Sequence, residues 1–135
     1  MVFQSKHSLI ILFILFNYST IVLNWVLNRT QPCDFIYYDF VGWGACGDLI
    51  NTNTQDFASI SYKDWVNGHP PPDPLCKNIC IRIDNNKGKS ITVPVKDRCN
   101  NCGEPRVKLS KNAFAKLADL SVGHYWFATK TFVKC

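Results

Sequence analysis

The 135-residue chain carries 15 Lys and Arg against 10 Asp and Glu, a net charge of +5. That length suits one small domain and is too short for two. The basic residues sit among acids rather than in an aromatic-studded block, which argues against a nucleic-acid partner, whereas a mildly basic surface suits acidic glycans or wall polymers.

Residues 1–27 read as a secretory signal peptide. Lys6 precedes an unbroken apolar run over residues 9–16, and a more polar patch follows at 17–20. A short basic region before an apolar core of roughly 7–15 residues is the pattern of such a leader. A retained anchor is the alternative, because apolar character resumes at Ile21 and Trp25. Asn17, Ser19, Thr20 and Asn24 interrupt it, however, and a spanning helix needs about 20 predominantly apolar residues. No small-x-small site marks the cut, which is expected between Ser19 and Asn28. Removing Lys6 with the leader changes the charge from +5 to +4. What remains, residues 28–135, is read as one exported domain with no membrane attachment. Asn28-Arg29-Thr30 is a glycosylation sequon if the cut leaves it in place.

"CDFIYYDFV" (33–41) is rich in aromatic and β-branched residues and reads as a strand. "GWGACG" (42–47) marks a tight turn or a close backbone approach. "DFASISYKDW" (56–65) combines a short strand with a turn of helix, and "NGHPPPDP" (67–74) is a stiff loop that cannot join a central strand. "CIRID" (80–84) and "KSITVPVKD" (89–97) alternate at period two around "NNKG" (85–88), a β-hairpin. Pro94 predicts that one edge of the second strand is unpaired or bulged. Ser110 stands as the N-cap of a short amphipathic helix through Ala113, Phe114, Leu117, Ala118 and Leu120, with Gly123 as its terminator. "HYWFATKTFV" (124–133) closes the chain as a strand on which Tyr125 and Trp126 face opposite ways. One helix among several short strands argues a mainly β barrel rather than a doubly wound sheet.

All seven cysteines (Cys33, Cys46, Cys76, Cys80, Cys99, Cys102 and Cys135) lie outside the leader. Cys76-x3-Cys80 and Cys99-x2-Cys102 have nearly the spacing of a zinc ribbon, but the secretory route favours oxidation over thiolates. A redox pair would stand at the start of a helix after a strand, whereas this helix begins well beyond Cys102. Disulfides are the favoured reading, with no metal and no cofactor expected. An odd count leaves one thiol over.

"GACG", "PLCKNICIRI", "VKDRCNNC" and "VKLSKNAFAKLADLSVG", at these intervals, resemble the RlpA-like and expansin-like group in its small secreted form, similar to plant natriuretic-peptide-like and fungal barrel proteins. The resemblance runs from about residue 35 to 135. It implies a six-stranded double-psi β-barrel with one short helix and a polysaccharide groove across one side. It also implies the disulfides Cys46–Cys76, Cys80–Cys135 and Cys99–Cys102, with Cys33 left over.

Cleaving a glycosidic bond by the common route takes two carboxyl groups. The family's acid lies just before the helix, where this chain has Lys108. An ammonium with a pKa near 10 is a poor match for an acid working near pH 6. Asp97 matches the family's Asp before Arg-Cys, and Asp39 sits where related endoglucanases keep a base. Both are weak catalytic candidates, since turn carboxylates commonly bond backbone N–H groups. Asp97 and Lys108 remain candidate ligand contacts, with Tyr37, Tyr38, Trp43, Tyr62 and Trp65 as stacking platforms that could equally be core. His69 and His124 lack the spacing for a metal or a triad. The expected function is a secreted, non-catalytic wall-associated protein that binds polysaccharide or another extracellular glycan. The first alternative is a secreted protein-binding factor (inhibitor, signal or effector) on the same barrel, and the second is a weak glycan-cleaving enzyme.

Overall fold

The computed structural model describes residues 23–66 and 72–135; residues 1–22, which hold most of the expected leader, lie outside them, as do His69 and most of the proline loop. Among the described residues, eight strands and one short α-helix follow in chain order: β1 Thr30–Tyr38, β2 Val41–Trp43, β3 Leu49–Asn51, β4 Ala58–Ser61, β5 Ile79–Asp84, β6 Ser90–Cys99, β7 Arg106–Ser110, α1 Lys111–Ala115 and β8 His124–Lys134. Six of the strands close a barrel in the order β1-β7-β4-β6-β5-β8, and β2 and β3 form a separate antiparallel ribbon. The β1–β7 and β4–β6 pairs are parallel, and the other barrel pairs are antiparallel.

Alternation along the strands sets the two faces of the wall. Phe35, Ala58, Ile60, Ile81, Ile83, Val107 and Leu109 point inward and are essentially inaccessible; burying a Val, Leu, Ile or Phe side chain stabilises by about 1.5–3 kcal/mol. Phe114 of α1 packs edge-on against Phe35, with ring centres 5.2 Å apart. Ser110 ends β7 and caps α1, its hydroxyl accepting the Ala113 N–H at 3.3 Å.

The helix is shorter than the apolar spacing predicts. Its last turn closes through Lys116 N–H to Ala113 O and Leu117 N–H to Phe114 O. Asp119 then accepts the Ser121 N–H at 2.8 Å and starts a new 3₁₀ turn, Leu120–Val122. A short acidic side chain that bonds its own backbone offers the chain an alternative to continuing the helix. Gly123 ends this second turn at φ 68°, a left-handed conformation suited to glycine.

Three disulfides join Cys46 to Cys76, Cys80 to Cys135 and Cys99 to Cys102. Cys33 remains a free, buried thiol, and burial, outweighing the opposing pull of Lys130, pushes it up to about 12. It is therefore protonated and unreactive at neutral pH. Packing also extends upstream of β1. Trp25 is buried against Phe132 with ring centres 5.5 Å apart, Leu27 bridges to Phe132, and the Asn28 N–H donates to Phe132 O at 2.8 Å. No helix among the described residues is long and apolar enough to cross a membrane.

Candidate functional site

Pro94 lies where the β6 edge changes. Toward β5 it pairs with Cys80; toward β4 the register shifts, so that Ala58 faces Val95 and Ser59 faces Asp97. Lys96 is the extra residue of this bulge. With no ladder partner on β4, its carbonyl accepts the Cys46 N–H at 3.2 Å. Gly44 approaches the same carbonyl so closely that a Cβ there would stand 2.6 Å from it, so the "GWGACG" loop needs glycine at this point. The loop is thus docked on the bulge of β6, where the ladder to β4 is interrupted.

Around that bulge lie three of the expected contact residues. Ile36 and Ser59 both pair with Lys108, and Ser59 also pairs with Asp97. These positions, with Tyr38, share the outer face of the wall, opposite Phe35, Val107 and Ile60. The Tyr38 hydroxyl donates to Asp97 Oδ2 at 2.8 Å, and the Ala45 N–H donates to Asp97 Oδ1 at 3.0 Å. Lys108 Nζ lies over the Tyr38 ring, 5.2 Å from its centre, a favourable cation–π placement. Burial, reinforced by the negative charge of Asp97 and the hydrogen bond to it, pushes the Tyr38 phenol well above its usual value. It stays a neutral donor.

The remaining candidates are spread out. Tyr37 points the other way along β1, packs edge-on against Phe114 at 4.8 Å and donates to Leu120 O at 3.2 Å. Trp65 is 7% exposed in the hydrophobic core, and its indole N–H donates to Ile60 O at 3.2 Å. Tyr62 stands in the Tyr62–Asp64 3₁₀ turn and takes no part in the Asp97 hydrogen bonds. Asp39 is exposed, 3.5 Å from Lys111 Nζ. Trp43 sits on the β2–β3 ribbon, 73% exposed. Asn28 is exposed at the edge of the barrel.

A second polar cluster joins the N-terminal ends of β7 and β8 to β1. Arg106 Nε donates to Asp34 Oδ2 at 2.8 Å, and His124 Nε2 bonds the same oxygen. Burial alone would push the Asp34 carboxyl up, but the hydrogen bonds and charges of Arg106 and His124 outweigh it and hold the group below the usual carboxylate range. Trp126 stacks on the His124 ring at 3.7 Å. Sequence reasoning missed this cluster because its members come from three strands far apart in the chain. Among the described residues, no group of three or more His, Cys, Asp or Glu is arranged to hold a metal ion.

No family model matches the chain. A papain inhibitor of Streptomyces mobaraensis is 40% identical over 98 residues, covering 73% of this chain and 68% of that protein. The solved structure of the Streptomyces papain inhibitor superimposes with a TM-score of 0.78 at 34% identity, over 82% of this chain and 100% of the other. An expansin of Clavibacter michiganensis, solved in complex with cellohexaose, superimposes with a TM-score of 0.57 at 17% identity, over 79% of this chain and 50% of the expansin. The expansin likeness is one of fold. The barrel is the double-psi type implied by the sequence resemblance, but the stronger sequence similarity lies with the inhibitor.

Proposed function

The chain belongs to the family of the Streptomyces papain inhibitor, and from that premise we propose that it is an exported, non-catalytic inhibitor of cysteine proteases of the papain class. The observation that carries this reading is 40% identity over 98 residues, a span close to the length of the barrel from β1 to β8. The protein-binding alternative thereby overtakes the polysaccharide expectation, whose support is a likeness of fold and therefore weak evidence of function. Three disulfides are consistent with an oxidising compartment. Since Trp25 packs on Phe132, a cut upstream of Trp25 preserves that contact and leaves Asn28 exposed in the mature chain and open to glycosylation.

Two features favour binding over turnover. Both carboxylate oxygens of Asp97 already accept hydrogen bonds, and Lys108 holds the position where the related enzymes keep their acid. A small barrel with three cross-links presents its surface with little conformational freedom left to lose, and such preorganisation favours affinity.

The test is a titration. Residues 23–135, oxidised to the three-disulfide form, are added to papain while hydrolysis of a fluorogenic peptide is followed. Activity is expected to fall to zero near one equivalent. Full papain activity at a large excess, together with retention on cellulose, chitin, pectin or peptidoglycan, would return the chain to the polysaccharide reading.

A further inference from the structure

Resting on the inhibitor reading, we propose that the β2–β3 ribbon is the part of the chain that enters the protease's substrate cleft, with Val41, Trp43 and Leu49 as its contact face and Asp97 as the residue that positions it. Val41 and Trp43 are two apart on one strand, and Leu49 pairs directly with Trp43, so the three side chains share one face. They are 65%, 73% and 60% exposed. The other side of the ribbon is closed: Ile50 is buried, and a Cβ on Gly42 would stand 2.9 Å from the Phe40 ring.

An isolated two-stranded ribbon is marginal in water. This one is held at both ends. Phe40 and Thr52 exchange hydrogen bonds of 2.9 and 3.0 Å where the ribbon leaves the barrel. At the tip, Ala45 is tied to Asp97, Cys46 is linked to Cys76, and Lys96 Nζ reaches Asp48 at 2.7 Å. The sequence therefore spends a disulfide and a carboxylate on keeping three large apolar side chains in water.

Partner size and shape follow from the area. The exposed parts of Val41, Trp43 and Leu49 together amount to roughly 400 Å², the size at which an exposed apolar patch on a monomer is often functional. That is about half of what one partner contributes to a standard interface. A flat dimer contact would be undersized. A concave partner whose walls close over the ribbon's flanks supplies the rest, with Trp43 as the central anchor. A substrate cleft has that shape. A braced ribbon also cannot relax into the extended single strand that a protease cleaves, so it occupies the cleft without being processed.

The experiment measures inhibition of papain by the oxidised 23–135 chain, by Trp43→Ala, by Trp43→Ala/Leu49→Ser and by Phe127→Ala. Phe127 is an even more exposed apolar residue, on β8, and has no covalent brace beside it. Trp43→Ala is expected to weaken inhibition at least 30-fold and the double variant at least 100-fold, with unchanged melting temperature, because an exposed side chain contributes little to folding. Phe127→Ala should stay within threefold of wild type. If wild type inhibits and the double variant inhibits equally well, the ribbon assignment is wrong while the inhibitor reading survives. If wild type does not inhibit, both fall. A dimer seen by sedimentation that dissociates in Trp43→Ala, with papain inhibition unchanged, would assign the face to self-association instead.

Discussion

Asp97 shows how one side chain can be matched to a catalytic position and yet be engaged at both oxygens by the protein's own donors. Its oxygens join a phenol on β1 to a backbone amide in the loop that carries the ribbon. Removing it leaves both donors without an acceptor, and the Tyr38 hydroxyl is the more shielded from water. Asp97→Ala is expected to cost about 1–2 kcal/mol, since an orphaned donor forfeits its desolvation; the midpoint of urea unfolding checks it. Inhibition should weaken beyond that loss of stability, because the folded variant no longer fixes Ala45. Lys108 was legible as a substitution in the motif. That it lies on the Tyr38 ring was not, since this depends on β7 lying beside β1.

Among the elements, those with long-period signals matched expectation and those of three residues did not. The β5–β6 hairpin and β8 alternate over enough positions to be read directly. β7 was read only as the lead-in to the helix, and β2 and β3 were hidden in what looked like turn chemistry. Three residues are too few to show a period, and "VGW" with "LIN" becomes a ribbon only because the β6 bulge offers Lys96 O and Asp97 to the loop between them. The segment upstream of β1 behaves as an element too. Trp25→Ala should destabilise the fold by about 2–4 kcal/mol, as large-to-small changes at buried aromatic sites do. For a domain of this size the melting temperature should fall by more than about 8 °C. A mature chain starting at Asn28 should show the same loss, and an unchanged melting temperature for either would place Trp25 outside the folded unit.

At the scale of the whole molecule, two buried carboxyls pull stability in opposite directions with pH. Burial pushes Asp64 up to about 6, with Glu104 adding to the rise and Lys130 opposing it; its Oδ2 is buried without a hydrogen-bond partner. The folded chain thus holds this proton more tightly than the unfolded chain, whose Asp titrates near 3.9. The contribution is full below about pH 4 and lost as pH rises through 6, on the order of 1–3 kcal/mol. Asp34 has the reverse sign. Its folded value lies below the ordinary one, so its contribution is present above about pH 4 and lost in stronger acid. Melting temperature should therefore fall between pH 4 and 6.5, and Asp64→Asn should flatten that limb while leaving the acid limb intact. A limb of unchanged slope in the variant would remove Asp64 as its cause.

The chain's own residues determined the mainly β class, the β5–β6 hairpin, the capped helix start at Ser110 and the opposite facing of Tyr125 and Trp126 on β8, because each is written in neighbours a few residues apart. The resemblance to the RlpA-like and expansin-like group also implied the three disulfide pairings that the structure forms. Tertiary structure decided the rest. It turned Trp65 and Tyr37 inward, gathered Asp34, Arg106 and His124 from three strands, and lifted Trp43 into solvent on a ribbon braced by a bulge. Contacts between strands paired across more than fifty residues depend on barrel closure and register, which no local pattern encodes.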